Sequence, residues 1–162
     1  PPPPPPAHSL ATGETASAMA RGVEAAALRI GWADEVMERV WLGSADAAKL
    51  DSLQRRNITH VINVTEDLKF HGEEAGLKCL RIPVDDHPSE KLRPYIFPAC
   101  EFINEGLRGG GSILVHCRAG MSRSASIVIA FVMMHLDISY EEALSKVKNK
   151  RKVVNPNSGF RN

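Results

Sequence analysis

Ser112-Ile113-Leu114-Val115-His116-Cys117-Arg118-Ala119-Gly120-Met121-Ser122-Arg123-Ser124 is the stretch on which the reading of the whole chain turns. Ser112 to His116 reads as a short apolar strand and Ser124 to His135 as an apolar helix. The loop between them therefore lies outside the carboxyl end of a strand and against a helix N-terminus, where backbone N–H groups and the helix dipole favour an anion. The N–H groups of Arg118, Ala119, Gly120, Met121, Ser122 and Arg123 can curl around such an anion, and Gly120 lets the loop bend sharply. Arg123 adds a planar fork that can hold two phosphate oxygens. Cys117 at the base of the cradle feels the same positive potential, which favours its thiolate, the nucleophilic form. A lone cysteine before a helix is ordinarily structural. Here the preceding His116, the glycine three residues on, the arginine six on and the serine after it favour a nucleophile aimed at phosphorus.

Outward from this loop the pattern alternates. Val36, Val40, Trp41 and Leu42 read as short strands ending at Gly43-Ser44, followed by helical spacing from Ala45 to Arg56. Ile58 to Val64 is β-branched and reads as a buried strand, and Leu77 to Val84 as another, stopped by Asp85-Asp86-His87-Pro88. Leu92 to Leu107 is a helix in which Pro94 suits the first turn, while Pro98 leaves the starting point open. Ser139 and Glu142 form a capping-box signal for a helix through Lys150, which Asn155-Pro156-Asn157 ends. The resulting order implies an α/β architecture, a central mixed, mostly parallel sheet flanked by helices.

The 162 residues fit one domain, and 43% hydrophobic with 24% charged residues is ordinary for a globular chain. Lys+Arg 20 against Asp+Glu 19 leaves a formal charge of +1, so no global field draws the protein to nucleic acid or membrane. No apolar run is long enough to span a bilayer, and no secretory signal is visible. Cys79, Cys100 and Cys117 form neither a disulfide framework nor a zinc site. They point to a reducing compartment, cytoplasmic or nuclear. Residues 1–30 read as a Pro/Ala-rich disordered tail opening on Pro1 to Pro6, with a short helix at Glu24 to Ile30, and residues 31–162 as the folded domain. The chain begins with proline rather than methionine, so it reads as a piece of something longer.

The motif H-C-x-x-G-x-x-R-S, here His116 to Ser124, resembles the signature of the cysteine-based protein tyrosine phosphatases, and Ala119-Gly120-Met121-Ser122-Arg123-Ser124-Ala125 is most similar to the dual-specificity branch. The resemblance extends over roughly Val36 to Phe160, through Trp41-Leu42-Gly43-Ser44, Asn57 to Val64 and Pro156-Asn157-Ser158-Gly159-Phe160. It implies a phosphotyrosine-phosphatase-like fold of dual-specificity type. It also implies a phosphatase acting on phosphotyrosine and on phosphoserine/threonine through a phosphocysteine, without metal or other cofactor. Cys117 is then the nucleophile, Arg123 and the loop N–H groups hold the phosphoryl group, and Ser124 stabilises the departing thiolate. Spacing to Leu92 resembles the family pattern with Asp86 as general acid, and Asp86 is favoured over Asp85, which suits a helix-start role. His116 is expected to support loop geometry and Asn157 to brace the site, a turn role for Asn157 being equally open.

The basic run Lys146, Lys148, Lys150, Arg151, Lys152 reads first as a solvated helix end. Because the family brings this end near the pocket, Arg151 is also a candidate for binding a second substrate phosphate. The expected partner is a phosphoprotein, with a MAP kinase among the candidates, met by a monomer. Phosphoglucan, phosphoinositide or RNA ends are the alternative substrates. Aromatic residues at 6% argue against a sugar platform, and within the loop Arg118 alone adds the basic charge that a phosphoinositide would need. A phosphoprotein-binding scaffold without turnover is the non-enzymatic alternative, and it would ordinarily lack Cys117 or Arg123. The family continues beyond Phe160 into a further helix, so the resemblance implies a last helix that is clipped or missing.

Overall fold

Strand-forming residues between 33 and 116 build one five-stranded sheet in the computed structural model of the chain, which describes residues 32–161. The strands are β1 (Ala33–Met37), β2 (Val40–Gly43), β3 (Ile58–Asn63), β4 (Lys78–Arg81) and β5 (Ser112–His116), in the order β1-β2-β5-β3-β4. β1 and β2 form an antiparallel hairpin; every other pairing is parallel. The sheet is thus mixed and mostly parallel, as expected. The expected tail over 1–30, with its helix at Glu24 to Ile30, lies outside the described residues.

β5 is the central strand, with Val115 opposite Leu42 on one side and Ile62 on the other. Its side chains alternate between two buried clusters, as the two-residue period of a strand demands when both faces are covered. Ile113 and Val115 join the larger cluster, with Ala99, Ile103, Ile127 and Val147, while Leu114 joins the smaller one, with Ala47, Ala48 and Leu53. The helices α2 (Arg93–Arg108), α3 (Arg123–Leu136) and α4 (Tyr140–Lys150) supply the first cover, and the segment containing α1 (Leu50–Arg55) supplies the second. Ser139 and Glu142 form the expected reciprocal capping box at the start of α4.

Three expectations change in detail. The helix expected over Ala45 to Arg56 divides into a 3-10 turn, Ala45–Ala48, and α1, because Lys49 is extended at ψ 145. Leu50 is exposed, whereas Ala47, Ala48 and Leu53 are buried. The strand expected over Leu77 to Val84 ends at Arg81, because its partner β3 ends at Asn63 and Pro83 has no N–H to donate. Pro98 lies inside α2, which starts at Arg93. A proline there removes a single hydrogen bond next to a turn that is unpaired anyway, and burial of Ala99, Cys100 and Ile103 offsets it.

Pro98 itself is exposed, so little packing depends on its ring. Pro98→Ala restores one helical N–H and loses some restraint of the unfolded chain, for a net gain of about 1 kcal/mol. Urea denaturation checks this, and a lower midpoint in the variant would show that the ring itself is needed.

Candidate active site

The central position of β5 brings its carboxyl end, Cys117, directly under the loop that leads into α3. A loop that turns N–H groups toward an anion turns its carbonyls away from it, and these need donors of their own. They all have one. Ala45 N–H donates to Arg118 O at 3.1 Å, and Asn155 N–H to Met121 O at 2.8 Å. Arg151 donates through Nη2 to Ala119 O at 3.1 Å and through Nε to Gly120 O at 2.9 Å. Ser126 donates to Ser122 O from both its N–H and its hydroxyl, at 2.9 and 2.8 Å. On the other side, the N–H groups of Arg118, Ala119, Met121 and Ser122 have no protein acceptor among the described residues. Gly120 has φ +67 and lies against the Gly43 carbonyl, which leaves no room for a side chain.

Cys117 is 2% exposed, and two donors converge on its sulfur: Gly120 N–H at 3.2 Å and the Ser124 hydroxyl at 3.1 Å. Arg123, also buried, donates through Nη1 to Val84 O at 3.2 Å, and the same atom is 3.9 Å from Asp85 Oδ1. Its Nε is buried with no hydrogen-bond partner, a costly arrangement that a phosphate oxygen would relieve.

Asp86 Oδ1 accepts from the Ser122 hydroxyl at 2.7 Å and from Asn157 Nδ2 at 2.8 Å. Both bonds fall on one oxygen, Oδ1. Asn157 Oδ1 in turn accepts from the N–H groups of Gly159 and Phe160, at 2.9 and 3.2 Å. A Cβ at Gly159 would overlap the Pro88 carbonyl, so the acid-bearing loop lies directly on this C-terminal turn.

Asp86, Cys117, Arg118, Arg123, Asn155 and Asn157 line one cleft of about 430 Å³. A larger, apolar groove of about 860 Å³, lined by Leu92, Ile96, Ile129, Met133, Tyr140 and Phe160 among others, has no cysteine, histidine or aspartate in its lining. The smaller cleft is the chemical one. Among the described residues no group of three His, Cys, Asp or Glu side chains could hold a metal ion. Burial pushes the Cys79 and Cys100 thiols up to about 11, so both stay protonated at neutral pH. His116 Nδ1 is 3.4 Å from Cys117 O and its Nε2 has no partner, so its support of the loop comes chiefly from packing. Burial pushes its imidazole down from 6.5 to about 4.

Arg151 requires a correction. Its side chain is 1% exposed; besides the two loop carbonyls, its Nη1 binds Asp34 Oδ2 at 2.8 Å and Trp32 O at 2.9 Å. A guanidinium buried and engaged in this way cannot also take a second substrate phosphate. It is the brace behind the loop. Sequence reasoning missed this pair and the Ser122 hydroxyl on Asp86 because the partners are 117 and 36 residues apart, with no pattern linking them.

Comparison with known proteins gives the same picture. Residues 40–162 match the sequence family described as Dual specificity phosphatase, catalytic domain. The chain is 36% identical over 135 residues to human dual specificity protein phosphatase 9, which covers 82% of this chain and 35% of that protein. It is 37% identical over 128 residues to dual specificity protein phosphatase 22 of Xenopus tropicalis, covering 78% of this chain and 60% of that protein. The chain thus spans about a third of the first relative and three fifths of the second. The crystal structure of human DUSP28 superposes with a TM-score of 0.75 at 36% identity, covering 79% of this chain and 86% of that one.

Two outcomes follow from the buried groups. Arg151→Ala leaves Asp34 and two loop carbonyls without their donor, and should lower stability by about 3 kcal/mol in urea denaturation, with Arg151→Lys recovering only part. Between pH 6.5 and pH 5 the unfolded chain takes up a proton at His116 that the folded state refuses until about 4, so stability falls as pH drops. The His116 share of that fall is on the order of 1–2 kcal/mol, and His116→Gln should flatten the curve by that amount. An unchanged curve would mean that His116 is not held neutral.

Proposed function

The chain belongs to the dual specificity phosphatase family, and on that premise we propose that it is a protein phosphatase acting on phosphotyrosine and on phosphoserine/threonine through a phosphocysteine intermediate. The observation that carries this reading is the convergence of Gly120 N–H and the Ser124 hydroxyl on Cys117 Sγ, in one cleft with Arg123 and Asp86.

The chemistry runs in two steps. Cys117 thiolate forms a bond to phosphorus while the bond to the substrate oxygen breaks, and protonated Asp86 gives its proton to that oxygen. Arg123 and the free loop N–H groups carry the charge of the transferring phosphoryl group throughout. Water then attacks the phosphocysteine and gives its proton to the Asp86 carboxylate. The sulfur leaves as thiolate into the two hydrogen bonds from Gly120 and Ser124, and inorganic phosphate departs. Ser122 and Asn157 hold Asp86 over the cleft; they are positioning residues.

The substrate class is a phosphoprotein, and a MAP kinase is the one the family resemblance suggests. The three free cysteines support a reducing compartment, cytosol or nucleus, and no helix among the described residues is long and apolar enough to cross a membrane. A monomer presents the complete cleft from one chain.

Hydrolysis of an aryl phosphate tests the reading. Cys117→Ser should abolish turnover. Asp86→Ala should lower kcat by about 10²–10⁴-fold and remove one limb of its pH profile. Turnover by the Cys117→Ser protein at the rate of the unsubstituted one would rule out the thiolate mechanism.

A further inference from the structure

We propose that Asp34, on the edge strand β1, is a positioning residue of the phosphatase reaction. Through Arg151 it sets the two peptide planes that aim Gly120 N–H at the Cys117 sulfur and turn Met121 N–H toward the phosphoryl group. That role rests on the phosphatase reading and deepens it. Asp34 does not line the cleft, so it touches no reacting atom and acts only through the arginine.

The N–H and C=O of a trans peptide lie in one plane and point opposite ways. Ala119 O and Gly120 N–H belong to one peptide. Its oxygen accepts from Arg151 Nη2 at 3.1 Å, and its N–H donates to Cys117 Sγ at 3.2 Å. Gly120 O and Met121 N–H belong to the next. That oxygen accepts from Arg151 Nε at 2.9 Å, and the N–H, turned the other way, has no protein acceptor among the described residues. One guanidinium thus fixes two consecutive peptides, joined at the Gly120 α-carbon with its φ of +67. Glycine has the widest choice of backbone angles, so these planes keep their directions through what binds their oxygens.

A planar fork aims its donors well only when the whole group is held in place. On its far side, Arg151 Nη1 donates to Asp34 Oδ2 at 2.8 Å and to Trp32 O at 2.9 Å. The pair is largely withdrawn from water, with side chains 1% exposed at Arg151 and 27% at Asp34. There the carboxylate supplies both direction and opposite charge, and its loss leaves a buried cation to seek other oxygens. Asp34 is fixed in turn. It lies opposite Leu42 of β2, which lies opposite Val115 of β5, and its strand neighbours Ala33 and Val36 are buried. The Trp32 ring is 5.8 Å from the Arg56 guanidinium, which is also 5.4 Å from the centre of Trp41. Two strand pairings therefore tie Asp34 to the strand that ends at Cys117, and one arginine ties it to the loop.

The experiment measures kcat for an aryl phosphate, the inhibition constant of inorganic phosphate and the thermal midpoint for Asp34→Ala and Asp34→Asn. All rates are taken well below each variant's own midpoint. Asp34→Ala should lower kcat about ten-fold and weaken phosphate about five-fold, because the donors that meet sulfur and phosphoryl oxygens lose their aim. Asp34→Asn can still accept from Nη1 but carries no charge, and should fall between the two proteins. It also serves if Asp34→Ala does not fold. Val36→Ala loosens the same strand by removing buried methyl groups without touching Arg151. It should lower the midpoint and leave kcat and phosphate inhibition within about two-fold of the unsubstituted protein. If Val36→Ala loses kcat as Asp34→Ala does, Asp34 acts through stability alone and the proposal fails. It fails equally if both Asp34 variants keep full kcat and phosphate inhibition. Lack of turnover by the unsubstituted protein sinks the parent reading too, whereas turnover indifferent to Asp34 sinks this inference alone.

Discussion

A loop that surrounds an anion with N–H groups leaves a row of carbonyl oxygens facing the protein, and each must find a donor there. In this chain the five carbonyls from Arg118 to Ser122 draw their donors from three separate parts of the sequence: Ala45 before the sheet is complete, Ser126 in the following helix, and Arg151 with Asn155 near the far end. Arg151 is itself held by Asp34 on the first strand and by the carbonyl of Trp32 just before it. The loop is therefore braced from several parts of the domain, with the N–H groups of Arg118, Ala119, Met121 and Ser122 left without a protein acceptor among the described residues.

The same C-terminal segment reaches Asp86 and the loop that carries it. Asn157 reaches Asp86, Gly159 packs on the Pro88 carbonyl, and Asn155 binds the loop at Met121. Ser122 belongs to both sides, since its hydroxyl donates to Asp86 and accepts from Asn157 N–H. The Cys117 loop and the Asp86 loop thus share one brace.

Two arginines show how burial sorts one residue type into two roles. Arg151, enclosed by carbonyls and a partly buried carboxylate, has its donors committed and acts as structure. Arg118, mostly in water, meets one exposed partner, Asp67. The overall charge of +1 contributes little to either, so anion recognition depends on fields a few ångströms across.

What the sequence determined by itself is the local chemistry and the layering. Residues of β5 alternate into two buried clusters, which needs only a two-residue period. Cys117, Gly120, Arg123 and Ser124 lie within one short loop, so strand, bend and helix start suffice to bring them together. The capping box at Ser139 and the mixed, mostly parallel sheet were legible for the same reason. Where the Ala45–Arg56 segment breaks, where β4 stops and how α2 accommodates Pro98 depend on neighbours that no local pattern contains. The tertiary structure alone decided that Asp86 is held by Ser122 and Asn157, that Arg151 stands behind the loop, and that Asp67 meets Arg118. Each joins side chains tens of residues apart in the chain. The energy that selects them comes from desolvation and hydrogen-bond satisfaction once the sheet has closed, and composition and spacing do not record it.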